Sequence, residues 1–60
     1  MNEGERKICQ YVIDDGEVID KKEFDSEGTH IEQFVVLLEG EEYHITKHDG
    51  EYVYFFHATH

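Results

Sequence analysis

The sequence predicts an all-β fold, a five-stranded antiparallel meander or small curled, barrel-like sheet, and three observations carry that expectation. Five glycines, Gly4, Gly16, Gly28, Gly40 and Gly50, each follow an acidic residue and recur at intervals of 12, 12, 12 and 10 residues. Glycine adopts the positive φ that tight turns demand, and acidic residues favour the corners beside it. The runs between these turn signals are rich in Val, Ile, Tyr and Phe, which suit the half-buried surface of a sheet. The last three runs also agree on one core face.

Taken in order, the elements follow from those turns. A turn at Asp15-Gly16 makes a first hairpin with Cys9, Tyr11, Ile13, Val18 and Phe24 on one face and Ile8, Val12 and Ile19 on the other. Asp25-Ser26-Glu27-Gly28 suits a type I turn closed by a glycine bulge. The next run admits a rival reading. Thr29 and Glu32 match a capping box, and Ile31, Phe34, Val35 and Leu38 fall at helical spacing before Gly40. The alternative fold is therefore α+β, ββαββ with a helix at about 30–39, although Phe34-Val35-Val36 favours a strand. A type I′ turn at Asp49-Gly50 sets His48 opposite Glu51, Thr46 opposite Val53 and His44 opposite Phe55. Extension through a turn at Gly40 predicts a core face of Phe34, Val36, Leu38, Tyr43, Ile45, Tyr52, Tyr54 and Phe56. Val35, Leu37, Val53 and Phe55 take the opposite face.

Sixty residues without proline or a low-complexity tract predict a single small domain over 1–60, near the lower limit of what folds unaided. The lone Cys9 excludes an intramolecular disulfide and fits a reducing cytoplasm. No apolar run has the length of a membrane span, and the first residues lack the basic and apolar regions of a signal peptide. A soluble, unprocessed, cytoplasmic protein is expected. Fifteen acidic residues against five basic ones give a formal charge of −10, which repels nucleic acid and anionic membranes and attracts basic surfaces.

No catalytic motif stands out, and an enzyme is not expected. The glycines are spaced for turns, no HExxH or paired CxxC occurs, and no cofactor is implied. His44, His48 and His57 share a predicted face with Glu42 and Glu51, which raises a small His/Glu metal-binding domain as a second alternative. The leading expectation is a small acidic protein-binding module, an inhibitor or regulator that docks on another protein with a basic surface. Its apolar docking residues are Val35, Leu37, Val53 and Phe55, and an uncovered face of this kind also suits a homodimer. Its acidic residues are Asp14, Asp15, Glu17, Glu39, Glu41 and Glu42, because the turns at Gly16 and Gly40 share one end of a meander. The first alternative is a mimic of the nucleic-acid phosphate backbone that blocks a basic groove. Carboxylates this dense on so small a body compare with duplex DNA, which carries one charge per ~1.7 Å.

Overall fold

Asn2 opens a helix where the sequence predicts a strand. In the computed structural model, which describes residues 1–58, α1 spans Glu3–Asp15. Thr59 and His60 lie outside the described residues. The Asn2 side-chain oxygen accepts from the Glu5 N–H at 2.8 Å, and the Glu5 carboxylate accepts from the Asn2 N–H at 3.4 Å. This reciprocal cap satisfies two of the backbone donors that a helix start leaves unpaired. Cys9, Val12 and Ile13 then fall on one helical face, with Cys9 and Val12 fully inside the core. Gly16 ends the helix, donating its N–H to the Val12 carbonyl at 2.9 Å and leaving in extended conformation at φ −86°. No turn forms at Asp15-Gly16, so the predicted first hairpin does not exist.

The rest of the chain is a four-stranded antiparallel meander: β1 (Glu17–Ser26), β2 (Thr29–Leu38), β3 (Glu41–His48) and β4 (Glu51–Ala58), in that spatial order. The fold class is thus α+β, with the mostly antiparallel sheet as expected but four strands and a leading helix in place of five strands. The α+β class of the alternative fits, although its ββαββ order misplaces the helix, because residues 30–39 belong largely to β2. Each hairpin turns on an acid-glycine pair with positive φ at both positions: Glu27-Gly28 (52°, 80°), Glu39-Gly40 (52°, 78°) and Asp49-Gly50 (50°, 84°). That pattern is the type I′ turn, whose twist matches that of the strands it joins. At Gly28 it replaces the expected type I turn and bulge.

Two bulges set the faces of the edge strands. In β4, Lys47 pairs with Tyr52 and Thr46 with Tyr54, so Val53 is an extra residue. Beyond it the pairs are Ile45 with Phe55 and His44 with Phe56. The predicted partners of Thr46 and His44 are therefore one residue off, and alternation is inverted from Tyr54 onward. Phe55 turns inward, packing against Tyr43 with ring centroids 5.6 Å apart, while Tyr54 and Phe56 are each half exposed on the other side. In β1, the extra residue is Ile19, between Val18 and Asp20.

The core joins Cys9 and Val12 of α1 to Phe34, Val36 and Ile45 at the centre of the sheet, with Ile13, Leu38, Tyr43, Tyr52 and Phe55 around them. Cys9 belongs to it as a small apolar residue, and burial pushes its thiol above its ordinary 9.0, with Glu5 adding to the shift. Tyr52 straps the helix to β4 by donating its hydroxyl to Gln10 Oε1 at 2.8 Å. The helix crosses one face of the sheet only.

Gly16 lies at the tightest point of this packing. A Cβ there would meet Val36 Cγ1 at 2.5 Å, the Val12 carbonyl oxygen at 2.6 Å and the Leu37 carbonyl oxygen at 2.9 Å. Two of the three are backbone atoms and have no rotamer by which to yield. Gly16→Ala is expected to cost about 1–3 kcal/mol of unfolding free energy as overpacking, although its φ suits alanine. Urea denaturation checks this, and an unchanged midpoint would show that the helix end relaxes freely.

Candidate functional site

Chain direction alone brings a group of carboxylates to one end of the sheet. The C-terminus of α1, the start of β1 and the β2–β3 turn meet there, since Glu17 pairs with Leu37, and Leu38 with Glu41. Asp14, Asp15, Glu17, Glu39, Glu41 and Glu42 are thereby gathered at a single end, although Gly16 ends a helix there in place of the expected turn. Among the described residues no Lys or Arg joins them. Arg6 and Lys7 lie in the first half of α1, Lys21 and Lys22 in mid-β1, and Lys47 towards the far end. Two imidazoles are the local counterparts: His44 Nε2 lies 2.9 Å from Glu42 Oε2, and His57 Nε2 lies 3.0 Å from Glu41 Oε2.

This placement opposes local stability. Carboxylates in the last turn of a helix face the negative end of its dipole, and α1 carries no basic residue there. Asp14 recovers a hydrogen bond by accepting from Gln10 Nε2 at 2.9 Å. No hydrogen bond or ion pair is found for the Asp15 side chain among the described residues.

Beside the acidic end lies the sheet face that α1 leaves uncovered. Register places Phe24, Ile31, Val35, Leu37, Tyr54 and Phe56 on it, together with Asp20, Lys22, Gln33, His44 and Thr46. His44 meets the edge of the Phe56 ring at 6.2 Å between centroids. A half-open depression of about 320 Å³ is lined by Asp20, Lys22, Gln33, Val35, His44 and Tyr54, among others. Of the four apolar residues expected to dock a partner, Val35 and Leu37 lie on this face, and Val53 is exposed at the bulge. Phe55 does not belong with them, because the bulge sends it to the core. Tyr54 and Phe56 take its place, and no residue of the sequence marks the bulge that exchanges them.

The same bulge takes His57 away from the face expected to hold it with His44 and His48. His44 lies on the uncovered face, His57 stacks on Tyr43 on the helix side at 4.6 Å, and His48 pairs with Glu51 at the far end. The His44/His48/His57 metal set is not assembled. His30, which the sequence left unassigned, is held more closely: Asp25 Oδ1 lies 3.0 Å from its Nδ1 and Glu23 Oε1 lies 3.5 Å from its Nε2. Backbone bonds to Asp49 fix its main chain, with the His30 N–H donating to Asp49 Oδ1 at 2.9 Å and the Asp49 N–H to the His30 carbonyl at 2.8 Å.

Among the described residues no helix is long and apolar enough to cross a membrane. Comparison with protein-family models, with curated proteins and with solved structures finds no match.

Two expectations follow from these charges. The hydrogen bond to Asp25, with Glu23 adding to it, raises the His30 pKa above its ordinary 6.5. A folded value above the unfolded one contributes stability that is complete below about 6.5 and is lost as the pH rises through the folded value. NMR titration of the imidazole should give a midpoint above 6.5, and Asp25→Asn should bring it back down; an unmoved midpoint in that variant would refute the cause. Separately, Asp15→Lys should stabilise the protein by about 0.3–1 kcal/mol, an effect that fades with added salt. Thermal melts at low and high ionic strength read both.

Proposed function

We propose that this chain is a non-enzymatic protein-binding module that inhibits or regulates a protein with a basic surface. The observation that carries the reading is the acidic end: six carboxylates, Asp15 in the last helical turn among them, gathered without a Lys or Arg and bordering an uncovered apolar face. Dense unbalanced charge accelerates encounter with an oppositely charged partner and orients it, and adjoining apolar area then holds it. The partner accordingly carries a basic patch next to an apolar one.

Docking uses the sheet face rather than an edge. Both edge strands carry a bulge, and β1 presents Asp20, Lys21, Lys22 and Glu23 in succession, features that oppose addition of a further strand. The docking residues are Val35, Leu37, Tyr54 and Phe56, with Val53 at the bulge. A single buried, unpaired cysteine suits a reducing compartment, and the cytoplasm is the proposed location.

The test begins with capture of the partner from the native host and continues with affinity measurements on the purified pair. Raising salt from about 50 to 500 mM should weaken binding at least tenfold, because exposed charges are screened within a few ångströms at high ionic strength. Neutralising Asp15, Glu17, Glu39 and Glu42 to their amides should do the same at low salt. Phe56→Asp should abolish binding at every salt while leaving the fold intact; Phe55→Asp is unsuitable, since it places a charge in the core. Competition by duplex DNA would identify the basic surface as a nucleic-acid groove. Affinity indifferent to the amide substitutions would overturn the reading, as would a homodimer in sedimentation that Phe56→Asp dissociates.

A further inference from the structure

At the end of the sheet opposite the acidic docking end, four side chains from β1 and β2 converge on the helix side. Glu23 pairs directly with Glu32, and Asp25 with His30. Two glutamates facing each other across a ladder repel, so the pair needs a cation. Lys21 serves: its Nζ lies 3.4 Å from Glu23 Oε1 and 3.7 Å from Glu32 Oε2. Lys47 stands opposite Glu32 on β3 but lies over the Tyr52 ring, so Lys21 is the one ammonium within ion-pair distance of any of the three carboxylates among the described residues.

His30 makes the group a ligand set. With Nδ1 held by the Asp25 carboxylate at 3.0 Å, the neutral ring carries its proton on Nδ1 and turns the Nε2 lone pair towards Glu23 and Glu32. A carboxylate behind a histidine is the arrangement that orients metal-binding imidazoles. The ligating atoms of Glu23, His30 and Glu32 all lie within 4.8 Å of one another, and Nε2 is 3.5 Å from Glu23 Oε1. Bonds of about 2.0–2.2 Å in a tetrahedron place ligand atoms roughly 3.4 Å apart. The His30–Glu23 edge already has that length, and the Glu32 carboxylate, within 4.8 Å of both, closes in to supply the third corner.

We propose that Glu23, His30 and Glu32 form a surface site for a divalent zinc-type cation, with Asp25 as the orienting residue and Lys21 as a counter-ion that the metal displaces. Nitrogen and oxygen ligands in this number leave the fourth position to water, and binding releases the Nε2 proton from whatever fraction of the imidazole is charged. The His44–Glu42 and His57–Glu41 pairs offer only two ligands each and lie elsewhere in the fold. This site is independent of the docking surface proposed above.

Zinc chloride titrated into the full chain at neutral pH, followed by calorimetry and by the imidazole NMR signals, tests the proposal. A single saturable site that shifts His30 first is expected. His30→Ala should abolish it, Asp25→Asn should weaken it about tenfold, and Lys21→Met should strengthen it. The double variant His44→Ala/His57→Ala should retain it. Glu32→Gln serves as a second loss-of-binding variant if His30→Ala does not fold. Binding unchanged in His30→Ala would reveal diffuse carboxylate association and overturn the site. So would an absence of saturation by about 1 mM zinc, or weaker binding in Lys21→Met.

Discussion

Gly16 passes so close to Val36 and to the Leu37 carbonyl that a methyl group has no room, and this contact fixes where α1 lies on the sheet. Cys9 and Val12 can then reach the row formed by Phe34, Val36 and Ile45, and Gln10 comes within reach of the Tyr52 hydroxyl. A larger residue at the joint would lift the helix from the row it buries. In so short a chain that row is nearly the whole core, and no disulfide supplements it. Everything else follows from the side on which the helix sits.

One helix covers one face of a four-stranded sheet, and the molecule divides its chemistry accordingly. The helix side holds the apolar packing and, towards the Gly28 end of the sheet, the His30 group. The uncovered side holds Phe24, Leu37, Tyr54 and Phe56, each between a third and a half exposed. Acid at the helix C-terminus faces the negative end of the helix dipole and so reduces stability slightly. Carboxylates also stand at the helix N-terminus, where Glu3 and Glu5 favour the dipole, and towards the opposite end of the sheet, so what distinguishes the Gly40 end is the lack of a neighbouring Lys or Arg.

Sequence reasoning recovers the parts of this fold that rest on local chemistry. The acid-glycine pairs at Gly28, Gly40 and Gly50 are turns because φ must be positive there, and they mark three hairpins in a row. Phe34, Val36, Leu38, Tyr43, Ile45 and Tyr52 face the core as alternation requires. The helix is missed because its signal competes with another. Cys9, Tyr11 and Ile13 alternate like a strand, and Asp15-Gly16 has the composition of the later turns. The contrary signs are Asn2 with Glu5 three residues on, and Cys9, Val12 and Ile13 at helical spacing. The matching Thr29…Glu32 pair caps nothing, since β2 is bound on both sides by neighbouring strands. The bulges have no marker at all: Val53 and Ile19 are ordinary strand residues, and only the pairing reveals that each is supernumerary. For that reason the acidic end is legible in the sequence, the apolar face is legible in part, and the His30 group is not.

Supernumerary residues also have a meaning for how such a chain can change. In a regular strand, loss of one residue turns every later side chain to the opposite face. At Val53 the count is already one too many, so its removal would leave Tyr52, Phe55 and His57 inward and Tyr54 and Phe56 outward, with only the local bend relaxed. Ile19 has the same standing in β1. The two edge strands thus each contain a place where lineages can differ in length by one codon without inverting the sheet, while β2 and β3, which have no bulge between them, contain none.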